Sequence, residues 1–150
     1  MRQVNQETIN LLHTFEGLKL DAYLCPARVW TIGYGNTRYE NGQPVKQGDV
    51  ITRQRANDLF TNILNRDFVP SVARLVKVPL NDNQFGALVS FAYNIGTGAL
   101  GRSTLLRLVN ANPSDPNIRN EFLKWNRAGG RVLNGLTRRR AAEANLYFKI

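Results

Sequence analysis

The segment from Phe15 to Gly35 carries three side chains that could do chemistry together, Glu16, Cys25 and Thr31. A carboxylic acid can donate a proton, a thiol can act as a base or nucleophile once its pKa is lowered, and a hydroxyl can order a water molecule. Residue type alone leaves structural alternatives open. A glutamate at a helix end can simply be solvated, and a single cysteine is more often a buried apolar residue.

Glu16 lies at the end of an amphipathic pattern. Apolar residues recur before it at helical spacing: Ile9, Leu11, Leu12 and Phe15. This spacing predicts a helix over residues 5–15, ended by Gly17, with Glu16 in its last turn. The negative end of a helix dipole disfavours an ionised carboxylate. A glutamate that apolar neighbours also shield can therefore hold its proton near neutral pH.

Cleavage of a glycosidic bond is one reaction that such an acid could support. It requires an acid that protonates the leaving oxygen, and a second group on the opposite face of the sugar that directs a water molecule or attacks. Glu16 suits the first role. The second group is usually a carboxylate, and Asp21 is the nearest one in sequence. Cys25 is less expected, because a thiol with an ordinary pKa of about 8.5 is mostly protonated at neutral pH.

Residues 19–40 are rich in β-branched and aromatic side chains, which predicts strands. Three segments carry this composition: LDAYLC, VWTIGYG and NTRYENG. Turns are expected around Pro26 and at Glu40-Asn41-Gly42. We therefore expect a small three-stranded antiparallel sheet.

From Thr52 onward the pattern is helical. Thr52 is the expected N-cap of a long helix that reaches about Phe68. Pro70 is expected to break or kink this helix before it resumes to Pro79. The following segment, Phe85–Gly96, is apolar on nearly every side, which is typical of a buried helix.

Further helices are expected at residues 102–110 and 118–126, and from Thr137 to Tyr147. Arg138, Arg139 and Arg140 would then lie in the first turn of the last helix, where cations oppose the dipole. On their own they indicate a solvated face, or else a place that meets an anion or carboxylate.

The order of elements predicts an α+β fold, because the strands are grouped apart from the helices. We expect a single domain over residues 1–150, with a sheet lobe at about 16–51 and a larger helical lobe at about 70–150 that includes the helix at 5–15. A long helix would join the lobes, and the cleft between them is the expected ligand site.

The net charge of +9 is concentrated toward the C-terminus, where residues 102–150 hold ten Lys or Arg against three Asp or Glu. This predicts a polyanionic partner, which composition leaves open between nucleic acid, anionic lipid and an acidic wall polymer. One His and one Cys argue against a zinc site and an internal disulfide. Neither a membrane-spanning apolar run nor a signal peptide is apparent.

Together, the motifs resemble the phage-type lysozymes of glycoside hydrolase family 24. The family pattern is a Glu, eight residues, Asp or Cys, five residues and Thr, which Glu16, Cys25 and Thr31 match. The segments VPLNDNQFGALVSF, FAYNIGTG and GLTRRRAAEANLY are similar to later family motifs. The resemblance covers roughly residues 8–148, with the motifs in the family's order.

This resemblance implies the lysozyme fold and hydrolysis of the β-1,4 bond between N-acetylmuramic acid and N-acetylglucosamine in peptidoglycan, with no metal or other cofactor. Glu16 would be the general acid. Cys25 stands where the family often has the aspartate that positions the attacking water, and Thr31 would order that water or orient its neighbour. The remaining implied site residues are Tyr93 and Asn94 along the saccharide cleft and Arg139 beside Glu16.

The chain departs from some relatives in having Asn36 after Gly35, where they have a histidine, so a histidine ion pair is impossible there. The thiol of Cys25 could activate water, giving inversion, or attack directly, giving retention, and we favour water activation. The resemblance also implies a monomer made in the host cytoplasm that reaches peptidoglycan in the periplasm or cell wall once a holin releases it. The alternatives are a lytic transglycosylase, a binder of nucleic acid or anionic lipid, and an inactive wall-binding module.

Overall fold

Helices make up most of the chain, and the computed structural model describes residues 2–149. The helices are α1 (Gln6–Glu16), α2 (Arg53–Ile63), α3 (Val69–Leu75), α4 (Asp82–Ile95), α5 (Thr97–Arg102), α6 (Thr104–Ala111), α7 (Asn117–Leu123) and α8 (Asn134–Tyr147), with a π-helical turn at Leu64–Phe68. The strands are β1 (Lys19–Leu24), β2 (Trp30–Gly33), β3 (Arg127–Ala128) and β4 (Arg131–Val132). None of the helices described has the length and apolar character that crossing a bilayer requires.

The first sheet has two strands, β1 and β2, paired antiparallel with an irregular register between Lys19 and Tyr23. The prediction of a third strand in this sheet is wrong for the described residues. The segment after β2 instead makes isolated bridges, such as Ile32 with Asn36. The chain reverses there because Gly33 and Gly35 have positive φ values of 67° and 83°.

Helix α1 places Glu16 as its last residue, as the sequence predicts. Asn5 caps the start of the helix by accepting a hydrogen bond from the Thr8 backbone N–H at 3.0 Å. Thr8 is buried against Gly86 of α4, and a Cβ added at Gly86 would lie 1.8 Å from the Thr8 Oγ1. This close approach anchors the start of α1 against α4, about two turns before Glu16.

The helix that follows the sheet begins as predicted but ends differently. Thr52 caps α2. The helix then passes into the π-helical turn Leu64–Phe68, where the N–H of Val69 bonds to the carbonyl of Leu64. Pro70 follows as the second residue of α3, where it has no N–H to donate. The predicted continuation to Pro79 is wrong, because α3 ends at Leu75.

Helix α4 is the centre of the larger lobe. Asn81 and Gln84 form a capping box at its start, and residues 85–92 are all buried. The ring of Phe91 packs edge-on against Phe122 and Trp125, with ring centroids 5.6 and 5.5 Å apart. The prediction of a buried central helix is confirmed.

The C-terminal part differs from the sequence prediction in three places. The expected helix at 102–110 is present as α6, but a short helix that the sequence did not suggest, α5, precedes it and is separated from it by the N-cap Ser103. Helix α7 ends at Leu123, and a hairpin that the sequence did not suggest follows, formed by β3 and β4. Helix α8 starts at Asn134 rather than after Thr137.

The earlier start of α8 moves the three arginines into its second turn. Arg139 and Arg140 are buried, at 4% and 1% exposure, whereas Arg138 is exposed. A solvated face is therefore wrong for two of the three arginines. Burial of two guanidinium groups requires carboxylate and carbonyl partners, which lie on α1, α4 and α8 and at Trp125 after α7.

Candidate active site

A cleft of about 470 Å³ opens where the end of α1, the segment after β2, the π-helical turn and the end of α4 meet. Its lining is mostly polar: Glu16, Gly35, Asn36, Thr37, Arg38, Tyr39, Gly42, Ile63, Arg66, Asp67, Phe68, Tyr93 and Asn94. Three of the residues that the sequence suggests for the site, Glu16, Tyr93 and Asn94, line this cleft.

The Glu16 carboxylate is held on one side and open on the other. Its Oε2 accepts a hydrogen bond from Nη1 of Arg139 at 2.6 Å, and its side chain is 18% exposed. Its Oε1 is turned toward Gly35, 3.5 Å from where a Cβ at that residue would lie. A guanidinium has no acceptor atom, so a proton carried by Glu16 belongs on Oε1.

Of the three consecutive arginines, Arg139 contacts Glu16. Its other N–H groups donate to the Ser90 carbonyl at 3.1 Å and to Glu143 Oε2 at 3.2 Å. Arg140 instead donates to Asn94 Oδ1, to the Trp125 carbonyl and to Glu143. The two buried arginines therefore hold different cleft residues: Arg139 holds Glu16, and Arg140 holds Asn94.

Tyr93 and Asn94 form the wall at the end of α4. The Tyr93 hydroxyl donates to the Tyr34 carbonyl at 3.1 Å, and its ring lies against Phe60 and Phe68. Burial, with a contribution from the charge of Glu16, raises the pKa of Tyr93 above its ordinary value, so this hydroxyl stays protonated. The Asn94 carbonyl oxygen is occupied by Arg140, which leaves its amide N–H groups for a ligand.

Cys25 and Thr31 lie together in the β1–β2 hairpin, and neither is among the described residues that line the cleft. The loop is closed by the Cys25 N–H on the Val29 carbonyl at 3.1 Å, with Arg28 at a φ of 62°. Thr31 is buried, and its hydroxyl donates to the same carbonyl at 2.9 Å.

The hairpin loop favours a thiolate at Cys25. The backbone N–H of Val29 lowers the pKa of this half-buried thiol from its ordinary value, against the opposing effect of burial. The Thr31 hydroxyl and the N–H groups of Ala27 and of Cys25 itself lower the pKa further. The Thr31 hydroxyl has one proton, so it stabilises a thiolate only by rotating away from the Val29 carbonyl.

The sequence did not suggest the π-helical turn as part of the site. Its residues Arg66, Asp67 and Phe68 line the cleft, and Arg66 Nε donates to Asp67 Oδ1 at 2.9 Å. Asp67 thus brings a second carboxylate to the cleft, whereas Asp21 lies exposed on β1 and does not line it. The only sequence signal near the turn is Pro70, two residues after its end, which has no N–H to donate to the helix.

Asn36 is almost fully buried in the cleft wall, at 5% exposure. Its backbone N–H and carbonyl both bond to Ile32, at 2.9 and 2.8 Å. Its side-chain Oδ1 has no hydrogen-bond partner within the described residues. No group of His, Cys, Asp and Glu between residues 2 and 149 is arranged to hold a metal ion.

A small sheet, a helical lobe built on a buried central helix and an acid in the cleft define a lysozyme-like protein of the α+β class. The family model for phage lysozyme matches residues 13–143, and the chain belongs to this family. The resemblance and the fold class that the sequence predicts are confirmed.

Named relatives agree with this assignment. The endolysin of Bacillus phage B103 is 44% identical over 146 residues, covering 96% of this chain and 53% of that protein. The solved endolysin from Escherichia coli O157:H7 phage FAHEc1 has a TM-score of 0.89 at 36% identity, over 98% of this chain and 94% of that one. The muramidase domain of SpmX from Asticaccaulis excentricus has a TM-score of 0.86 at 34% identity, with both chains covered completely.

The chain spans about half the length of the two Bacillus phage endolysins that it matches, 53% for phage B103 and 55% for phage PZA.

Proposed function

We propose that this protein is an endolysin that hydrolyses the β-1,4 bond between N-acetylmuramic acid and N-acetylglucosamine in bacterial peptidoglycan. The observation that carries the proposal is the Glu16–Arg139 pair, which presents one free carboxyl oxygen to a polar cleft. Membership of the phage lysozyme family supports it, as do relatives named as endolysins and a muramidase domain.

Glu16 acts as the general acid in this proposal. Its proton, carried on Oε1, passes to the glycosidic oxygen as the bond to the anomeric carbon breaks. Arg139 then balances the negative charge left on the carboxylate, because it is already bonded to Oε2 at 2.6 Å. The fixed ion pair also limits the orientations of the acid, which keeps Oε1 toward the cleft.

Cys25 acts as the base in the second half of the reaction. The thiolate accepts one proton from water, the water oxygen bonds to the anomeric carbon, and the new hydroxyl has the inverted configuration. The N–H groups of the hairpin loop support this role because they lower the thiol's pKa. Thr31 orders the water or orients Cys25, and Tyr93 and Asn94 contact the saccharide.

Cell association and release follow from the same proposal. A chain with a net charge of +9 is attracted to peptidoglycan and its anionic polymers. Residues 1–150 act as one catalytic domain and as a monomer. The protein is made in the host cytoplasm, and a holin gives it access to peptidoglycan in the periplasm or cell wall during phage lysis.

Product analysis tests the reaction. Purified peptidoglycan is digested with the protein, and the fragments are examined by mass spectrometry and by NMR of the first-formed anomer. Hydrolysis predicts new reducing ends with inverted configuration. Anhydro-muramic ends would identify a lytic transglycosylase, a retained anomer would refute water activation by Cys25, and unchanged peptidoglycan would refute the enzyme.

A further inference from the structure

A cluster of four charged side chains lies behind the cleft, and Glu143 is at its centre. Glu143 is completely buried on α8. Its Oε2 accepts hydrogen bonds from Ser90 Oγ at 2.6 Å and Arg139 Nε at 3.2 Å, and its Oε1 accepts one from Arg140 Nη1 at 2.7 Å. Both carboxylate oxygens are therefore occupied, and neither faces the cleft.

The two arginines that Glu143 holds reach forward to different cleft residues. Arg139 donates to the acid Glu16, and Arg140 donates to Asn94. A guanidinium presents its N–H donors in a rigid plane, so fixing one edge fixes the direction of the others. The orientation that Glu143 imposes on the buried edges is thereby transmitted to the acid and to the cleft wall.

Helical spacing explains how one carboxylate can hold both arginines. Arg139 and Arg140 precede Glu143 by four and three residues on α8, which places all three side chains on one helix face. The backbone carbonyls of Ser90 and Trp125 take a further N–H from each arginine. The arrangement leaves the guanidinium planes little freedom.

We propose that Glu143 is a positioning residue for the reaction. It acts through Arg139 and Arg140 to set the geometry of Glu16 and Asn94, and the inference rests on the proposed function of the cleft. Glu143 touches no substrate in this scheme. Its contribution is to keep the acid oriented and to balance the charge behind it.

The balance of charges in the buried cluster makes the positioning role of Glu143 measurable. Two carboxylates, Glu16 and Glu143, face two guanidinium groups in the buried cluster. Ser90 of α4 and Trp125 after α7 contribute uncharged groups. Neutralising Glu143 would leave Glu16 as the remaining carboxylate of the cluster, so two guanidinium groups would face one carboxylate behind the cleft.

The other charged groups that the cleft presents to Glu16 are Arg38, Arg66 and Asp67, which a change at Glu143 leaves intact. His13 lies one turn earlier on α1, stacked on Tyr34, and burial lowers its pKa. A shift of the pH–activity profile on changing Glu143 would therefore report on the buried cluster rather than on these groups.

The test compares Glu143→Gln, Glu143→Asp and the matched control Glu121→Gln. Glu121 also pairs with a cation three residues away, but its partner Lys124 is exposed at 67% and lies outside the cleft and the buried cluster. We expect Glu143→Gln to lower kcat at least tenfold with KM within threefold, and to shift the pH–activity profile. Glu143→Asp should lower kcat but keep the wild-type pH profile, because it retains the charge, and Glu121→Gln should match the wild type.

A folded Glu143→Gln protein with wild-type kcat and pH profile would overturn the proposal. If only Glu143→Asp folds, a wild-type kcat in that variant overturns it. Failure of both variants to fold would assign Glu143 to stability alone and also overturn it.

NMR titration of the Glu16 carboxyl carbon in the wild type and in Glu143→Gln needs no turnover. An inactive wild type would refute the proposed function, whereas this titration would still decide whether Glu143 acts on Glu16.

Discussion

Glu16 and Cys25, the two residues proposed to transfer protons, are fixed by contacts of different range. Glu16 is bonded to Arg139, which is 123 residues away in sequence. All of the groups that lower the pKa of the Cys25 thiol belong to residues 25–31. The acid therefore depends on packing of the whole helical lobe, whereas the thiol depends on one loop. Changes to the lobe should affect the acid first, and changes to the hairpin should affect the thiol first.

Glu16→Gln should give the largest loss of activity. It keeps the shape of the side chain but removes the transferable proton, so kcat should fall by about 10²–10⁴-fold. The measurement is release of reducing ends from purified peptidoglycan. The control is Glu7→Gln, which breaks an exposed ion pair with Lys149 and should leave activity unchanged. An active Glu16→Gln protein would show that Glu16 is not the general acid.

Cys25→Ser should give the next largest loss. A serine hydroxyl does not ionise near neutral pH, so we expect kcat to fall by about 10²-fold if the thiolate is the base. Cys25→Asp should keep most of the activity, because a carboxylate can also accept the proton. Near-normal lysis by Cys25→Ser would mean that the hairpin thiol is structural.

The pH dependence of activity tests the role of Cys25 separately from that of Glu16. A base works when deprotonated, so activity should rise as pH passes through the pKa of the Cys25 thiol, which the loop lowers from its ordinary value. In Cys25→Asp this acidic limb should move toward the ordinary carboxyl range of about 4, and the alkaline limb should stay in place. An unmoved acidic limb would show that another group is the base.

Gly86→Ala tests the packing that positions α1. The new Cβ would lie 1.8 Å from Thr8 Oγ1, so we expect a loss of about 1–3 kcal/mol in the free energy of unfolding. Urea unfolding measures this loss, and adding Thr8→Ala should recover part of it. The control is Gly98→Ala, whose Cβ meets only the mobile end of Arg102 at 3.3 Å. Equal stability of the two variants would show that α1 is free to shift.

Glu40→Gln, a change in the sheet lobe, should give the smallest effect, a small loss in the free energy of unfolding. The Arg55 guanidinium, with help from Asn62, holds the pKa of Glu40 at about 2. Its stabilising contribution is present above the ordinary carboxyl pKa and is lost as pH falls toward 2. We therefore expect a loss of about 1 kcal/mol at pH 7 that narrows at pH 3, measured by urea unfolding. The same loss at both pH values would contradict the ion-pair explanation.

The same difference in range explains how much of the molecule the sequence could predict. Local signals were sufficient for the cap at Thr52 and for Glu16 at the end of α1. They failed for α8, because its N-cap Leu133 makes no side-chain hydrogen bond and so leaves no capping signal. The late helix start that Thr137 suggested also hid the burial of the arginines.

For the site, spacing and family resemblance selected residues that the structure brings together in two groups. Glu16, Arg139, Tyr93 and Asn94 form one group, and Cys25 and Thr31 form the other. Their catalytic roles stay predictions. The buried Glu143 and the π-helical turn depend on tertiary packing, and neither residue type nor spacing identified them beforehand.

Gly35 illustrates how a residue without chemistry can be as restricted as one that has it. Its φ of 83° strains any other residue, and a Cβ there would cover the free oxygen of the acid at 3.5 Å. In a saturation-mutagenesis library selected for lysis, this position should retain glycine almost as strictly as position 16 retains glutamate. A map of tolerated substitutions would therefore mark Gly35 as functional although it donates and accepts no proton.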